Sequence, residues 1–132
     1  MWHVLEHVHQ LHEYMDQLHQ VLKEDGVLFI AVPNHTSSDA KHYGVGWAAY
    51  DVPRHLYHFS PASMAELAGM HQFKLIGMKP MWFDSVYVSM LSEQYKHGKS
   101  RMMSALYHGL MSNIKAMGDA SKCSSVIYML KK

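Results

Sequence analysis

Three groups of residues carry side chains at spacings that can do chemistry. His3-Val4-Leu5-Glu6-His7 has the His-x-x-Glu-His spacing with which a helix offers two imidazoles to zinc beside a catalytic glutamate. The pattern is short, the chain has twelve histidines, and no helical turn precedes it to hold the ligands, so a zinc hydrolase using His3, Glu6 and His7 stands only as an alternative. Incidental metal binding by His3 with His7, or by His12 with a neighbour, is the plainer outcome, and no metal is assigned to the working site. His55 and His58 form the second group. Imidazole titrates near neutrality, so either can take a proton from a hydroxyl or an acidic carbon; equally, His58 and Phe59 can dock the surrounding loop on the domain. In the third group Trp47, Tyr50 and Tyr57 can line a pocket for an apolar or aromatic substrate, or serve as loop anchors.

Elements of regular structure must position these groups. Val4, Val8, Leu11, Met15, Leu18 and Leu22 recur at steps of four and three and predict one helix stripe, with Glu13, Asp16, Gln20 and Lys23 opposite and Gly26 as the stop. Val27 to Val32 is an unbroken apolar run ended by Pro33, the pattern of a parallel strand covered on both faces. Residues 34 to 59 read as a long loop, of the kind that carries function in small domains. Ser60-Pro61 opens a helix reaching about His71, and Phe73 to Met78 is a strand before Pro80. Two helices follow between Asp84 and Met117, separated by a turn at Lys96-His97-Gly98-Lys99. One is expected to bury Val86, Tyr87, Met90 and Leu91, the other Met103, Leu106, Tyr107, Leu110, Met111 and Ile114. The last strand is Val126 to Leu130.

Composition narrows the partners. The 132 residues suit one domain, and twelve basic against eleven acidic residues leave a net charge of +1, which gives no electrostatic reason to expect nucleic acid or an anionic membrane surface. One cysteine, Cys123, excludes an internal disulfide framework and a Cys-based zinc cluster and fits a reducing compartment. No apolar run is long enough to span a bilayer and no signal peptide is readable, so a cytoplasmic protein is expected.

Trp2-His3-Val4-Leu5-Glu6-His7-Val8, the turn Leu22-Lys23-Glu24-Asp25-Gly26 and the strand ending Val32-Pro33-Asn34 together resemble class I S-adenosylmethionine-dependent methyltransferases. Arg54-His55-Leu56-Tyr57-His58-Phe59-Ser60-Pro61 and Gln72-Phe73-Lys74-Leu75 resemble a later pattern of the same family, where a His and a Phe precede the helix leading to strand six. The departure at Glu24-Asp25, where the family prefers Pro-Gly, falls in an exposed turn. The resemblance implies an α/β fold that is the C-terminal portion of a Rossmann-like seven-stranded sheet, with 27–34 as strand five, the last strand as strand seven and residues 84–122 as a helical insertion before it. It further implies that Met1, Trp2 and His3 face the methionine part of S-adenosylmethionine and that Glu6 and His7 border the reacting methyl. Ligands of open α/β sheets lie at the carboxyl ends of the strands, which puts Asn34 and the loop after it on the same edge.

The Gly-rich turn that holds such a cofactor does not occur in this sequence. Residues 1–132 are therefore expected to form a single partial domain that lacks most of the cofactor cradle, binds cofactor weakly and is inactive alone. The parent protein is expected to methylate a small molecule. The alternative to an enzyme is a dimerising module that pairs an exposed sheet edge, or the helices at 84–117, with a second copy.

Overall fold

The computed structural model describes residues 1–98 and 101–132. Its regular elements are α1 (Leu11–Val21), β1 (Val27–Pro33), α2 (Ser38–Tyr43), α3 (Pro61–Met70), β2 (Lys74–Pro80), α4 (Trp82–His97), α5 (Met102–Gly118) and β3 (Ser125–Lys131), an α/β arrangement. The strands pair in the order β1-β3-β2, so the strand formed last in sequence lies in the middle and runs antiparallel to both neighbours. Leu28, Ile30 and Val32 of β1 stand opposite Leu130, Tyr128 and Val126 of β3. With Leu11 and Met15 of α1, Met64 and Leu67 of α3, and Phe73, they make the main core.

Two expectations about β1 change. Its ladder is antiparallel, and its parallel contacts are single bridges, Trp2 with Ala31 and Asn34 with Phe59. Nor is it covered on both faces throughout, because Val27 and Phe29 are exposed and only Ile30 to Pro33 are fully buried. The first helix also starts later than its apolar stripe predicts. Residues 5–7 form a 3₁₀ turn, Val8 is extended, and α1 begins at Leu11. The Glu6 carbonyl, which a continuous helix would give to the Gln10 N–H, instead accepts from Leu56 N at 2.8 Å. That long-range bond ends the turn, buries Leu5 and leaves Val4 exposed.

The expected loop at 34–59 contains α2 and two 3₁₀ turns, Gly44–Gly46 and Ala48–Tyr50. Ser37 caps α2 by accepting from Ala40 N, and Ser60 caps α3 in a reciprocal box with Ser63. Asn34 ties the end of β1 to the approach of β3. Its Nδ2 donates to Ser121 O at 2.6 Å and Cys123 O at 3.1 Å, and its Oδ1 accepts from Thr36 N and Oγ1.

α5 turns most of its predicted stripe outward, whereas α4 keeps Val86, Met90 and Leu91 of its stripe half-buried and exposes only Tyr87. Where α4 and α5 face each other and the rest of the chain, the buried residues are Ser85, Val88, Ser89, Ser92 and Glu93 on one helix and Ala105, Gly109, Ser112 and Ala116 on the other. Small side chains permit a close approach, with a Cβ on Gly109 falling 2.8 Å from Val86 Cα. Tyr87, Met103, Leu106, Tyr107, Leu110 and Ile114 are exposed instead. Gly98 closes α4 in the left-handed region at φ 67°, while Lys99, the last residue of the expected turn, lies outside the described residues. No described helix is long and apolar enough to cross a membrane.

A buried carboxylate joins this helical layer to the sheet. Asp39 of α2 accepts from Trp47 Nε1 at 2.8 Å, from Ser112 Oγ of α5 at 3.0 Å, and from Ser124 Oγ beside β3. Asp39→Ala would leave these buried donors without their acceptor, at about 1–3 kcal/mol for each one stranded. A stability loss of about 3 kcal/mol or more by urea denaturation is expected; a loss under about 1 kcal/mol would show the hub to be dispensable.

Candidate active-site cleft

A cleft of about 250 Å³ opens where the end of β1, residues 48–55 and α4 meet. His3, Asp51, Arg54, His55 and Asp84 supply its polar groups, and Ala48, Tyr87, Val88, Leu91 and Tyr95 its apolar walls. Two lining residues, His3 at φ 50° and Asp51 at φ 40°, hold left-handed backbone conformations that residues with a Cβ seldom adopt. Such backbone is retained where the surroundings over-determine it, often at functional sites.

His3 is fixed from two sides. Its N–H donates to Ala31 O at 2.9 Å, which seats it against β1, and its Nδ1 donates to Glu6 Oε1 at 3.0 Å. Its Nε2 lies 3.5 Å from Asp84 Oδ2, and Asp84 in turn accepts from Ser125 Oγ of β3. The hydrogen bond to Glu6, with the charges of Asp84 and Glu6 behind it, outweighs burial and raises the His3 pKa above the ordinary imidazole value. Glu6 is fully buried, and its Oε2 has no hydrogen-bond partner.

His55 lies on the same cleft. Its Nδ1 donates to Ala49 O at 2.8 Å, so in the neutral ring Nε2 carries the free lone pair, 3.8 Å from Asp51 Oδ2. Asp51 Oδ1 accepts from Arg54 Nε at 3.1 Å and from its terminal nitrogen at 2.5 Å. His7 does not line the cleft. Its Nδ1 donates to Arg54 O, and its ring meets the His55 ring edge-on with centroids 4.7 Å apart.

The sequence-derived candidates therefore separate. His3 and His55 line the cleft, with Glu6 and His7 directly behind them. Met1 and Trp2 run along β1, where Ala31 N donates to Met1 O, and the Trp2 side chain is half exposed. Asn34 is wholly buried with its donors and its acceptor engaged inside the chain, which leaves it nothing to offer a substrate. Trp47 is buried with its indole N–H on Asp39; Tyr50 packs edge-on against Trp47; Tyr57 donates to His9 O at 3.3 Å. The His58 ring nitrogen donates to Tyr50 O, which fits the loop-docking reading of that residue. Asp51, Arg54, Asp84, Tyr87 and Tyr95 were not foreseen as lining residues, although the Asp51/Arg54 spacing of three is itself a local pairing signal.

The zinc motif does not form as its spacing suggests. His3 is left-handed and residues 5–7 form a 3₁₀ turn, so His3 and His7 do not share a helix face. Glu6, His7 and His55 instead each bring one potential ligand atom within 4.8 Å of the others.

Residues 1–77 match the model of a family described as a methyltransferase domain. No curated protein sequence matches the chain. Among solved structures the fold is similar to that of mycolic acid cyclopropane synthase complexed with SAH and CTAB, with 11% sequence identity and a TM-score of 0.50 over 98% of this chain and 52% of that one. The chain thus spans about half the length of that protein.

Glu6→Gln weakens the hydrogen bond that raises His3 and removes the Glu6 charge behind it. The imidazole titration midpoint of His3, followed by NMR, is expected to fall in the variant. Because the folded-state pKa of His3 is raised, its stabilising contribution is complete below the unfolded value of 6.5 and is lost as pH rises through the folded value. An unchanged midpoint would remove Glu6 as the cause.

Proposed function

The chain belongs to the methyltransferase domain family, and from that premise we propose that it helps transfer a methyl group from S-adenosylmethionine to a small-molecule acceptor held in the cleft of His3, His55 and Asp84. The observation that carries the reading is the convergence of a seated His3–Glu6 pair, a His55 whose Nδ1 is held by the Ala49 carbonyl, and an acidic Asp84 on one cleft beside the buried end of β1. Sheet geometry supports a larger parent fold. β1, β2 and β3 would be strands five, six and seven of a seven-stranded sheet, and the parallel bridge of Trp2 with Ala31 lies where a fourth strand would pair.

The residues present fit one end of the cofactor. His3 Nε2 and Glu6 Oε2 are buried polar atoms without hydrogen-bond partners, and carboxylates line or back the cleft, a setting suited to a cationic sulfonium and an amino-acid tail. Nothing in the sequence supplies the Gly-rich turn that approaches the adenosine side, and the cleft is smaller than a whole ligand of that size needs. The adenosine-holding elements are therefore proposed to lie outside these 132 residues.

When bound, the cofactor supplies the electrophilic methyl, and the protein's part is positioning, water exclusion and proton removal. His55 Nε2 is the proposed base, receiving the acceptor's proton while Ala49 O holds the tautomer and Asp51 stabilises the imidazolium that results. Tyr87, Val88 and Leu91 form an apolar wall that keeps water from the reacting atoms. His7 holds the Arg54 backbone and so positions His55.

Methyl transfer from labelled S-adenosylmethionine to small acceptors with an ionisable hydroxyl or acidic carbon tests this in the intact enzyme. His55→Ala is expected to lower kcat by about 10²–10⁴-fold, while His58→Ala changes it little. Equal losses in both variants would count against His55 as the base.

The non-catalytic reading has its own support in the exposed apolar face of α5, where Met103, Leu106, Tyr107, Leu110, Ile114 and Met117 follow helical spacing. If this face pairs two copies, sedimentation equilibrium gives a dimer that Leu110→Glu dissociates. A clean monomer at all concentrations removes that reading.

A further inference from the structure

The helical layer contains a second polar cluster, none of whose residues lines the cleft. His42 lies in the last turn of α2, Glu93 is buried on α4 and His108 is half-buried on α5, and each brings one potential ligand atom within 4.8 Å of the other two. The two imidazole rings stack with centroids 3.6 Å apart and planes at 21°. Among the described residues neither ring has a hydrogen-bond partner. Glu93 is 2% exposed; its Oε1 accepts from Tyr43 OH at 3.3 Å and Ser104 Oγ at 2.5 Å, whereas its Oε2 is buried without a hydrogen-bond partner. A buried carboxylate oxygen left unpartnered is costly and calls for a ligand.

We propose that His42, Glu93 and His108 form a divalent transition-metal site, suited to zinc, that staples α2, α4 and α5 together. Two imidazole nitrogens and one carboxylate oxygen are a donor set that zinc takes, with a fourth position left open. The Nε2 of His97 stands 3.6 Å from Glu93 Oε2. Zn–N and Zn–O bonds of about 2.0–2.2 Å require the three ligand atoms to draw together by roughly 1 Å, a movement within reach of the exposed His42 ring. Tyr43 and Ser104 orient the carboxylate from behind, as outer hydrogen bonds do in metal sites.

The contacting pair His12 and His71 is satisfied without an ion. His71 Nδ1 donates to Asp16 Oδ1 at 2.6 Å and its Nε2 accepts from His12 Nδ1 at 2.9 Å, leaving no orphaned buried atom. The proposed site also has a structural consequence that the pair lacks. α4 supplies Tyr87, Val88, Leu91 and Tyr95 to the cleft, so a metal fixing α4 to α2 and α5 would stiffen one cleft wall without touching its chemistry.

Titration of the full chain with zinc chloride by calorimetry, and with cobalt chloride by visible absorption, tests the site. One equivalent is expected to bind at micromolar concentration or below, with cobalt bands of a low-coordinate nitrogen and oxygen site and a Tm that rises with zinc and returns on adding a chelator. His42→Ala, His108→Ala and Glu93→Gln should each weaken binding by about tenfold or more. His12→Ala and His55→Ala should leave it unchanged. Circular dichroism checks that the variants fold, and His42→Ala, on an exposed side chain, keeps the test open if Glu93→Gln does not. Absence of one-to-one binding, or binding that His12→Ala or His55→Ala abolishes instead, overturns the proposal.

Discussion

A single buried carboxylate determines how the two parts of this molecule meet. Asp39 sits on a six-residue helix with little intrinsic stability, yet it gathers hydrogen bonds from Trp47, Ser112 and Ser124, which belong to the link between two 3₁₀ turns, to α5 and to the approach of β3. Charge-assisted hydrogen bonds of this kind are stronger than neutral ones, and an acceptor deep in the interior cannot be replaced by water. Trp47 is buried because its N–H has Asp39 to donate to. α5 presents Ser112 inward for the same reason, and that choice sets which side of the helix meets solvent.

The rest of the helical layer follows from that orientation. With Ser112 inward, the buried seam of α5 is Ala105, Gly109, Ser112 and Ala116, against Ser85, Ser89 and Ser92 of α4. Small residues bring the backbones close, and the larger apolar side chains are displaced outward. Ser92 Oγ uses its position to donate to Val88 O and to accept from Ala48 N, which fixes the turn at one wall of the cleft. The packing of two helices thereby positions Ala48, Ala49 and, through Ala49 O, the tautomer of His55.

The cleft joins residues from the beginning, middle and later part of the chain. His3 reaches it through its bond to β1, His55 through the turn at 48–50, and Asp84 through the first turn of α4 and its bond with Ser125. The contacts of His3 with Ala31 and of Asp84 with Ser125 are far apart in sequence, while that of His55 with Ala49 spans six residues. His3 and Glu6 are closer still, a pair three residues apart whose hydrogen bond the spacing alone makes available.

The sequence by itself determined the elements whose signals are local. The apolar runs at 27–32 and 126–130 are strands, Ser60-Pro61 opens a helix, Gly98 ends one, and the Leu-Glu-His and Val-Pro-Asn segments carry the family that the match over residues 1–77 shows. Periodicity could also find α4 and α5, since the 3.6-residue repeat is present on more than one face. It could not choose the face, because hydrophobicity favours burying Leu106 and Leu110 while a buried hydrogen bond to Asp39 favours Ser112. Tertiary structure decided that contest. It likewise delayed the start of the first helix to Leu11, with the Glu6 carbonyl going to Leu56, and it consumed Asn34 and Trp47 in internal hydrogen bonds where their positions suggested a ligand. A side chain's role depends on which partner satisfies its polar atoms, and while Thr36 lies two residues from Asn34, the partners of the Asn34 amide nitrogen lie 87 and 89 residues away, beyond what spacing along the chain can specify.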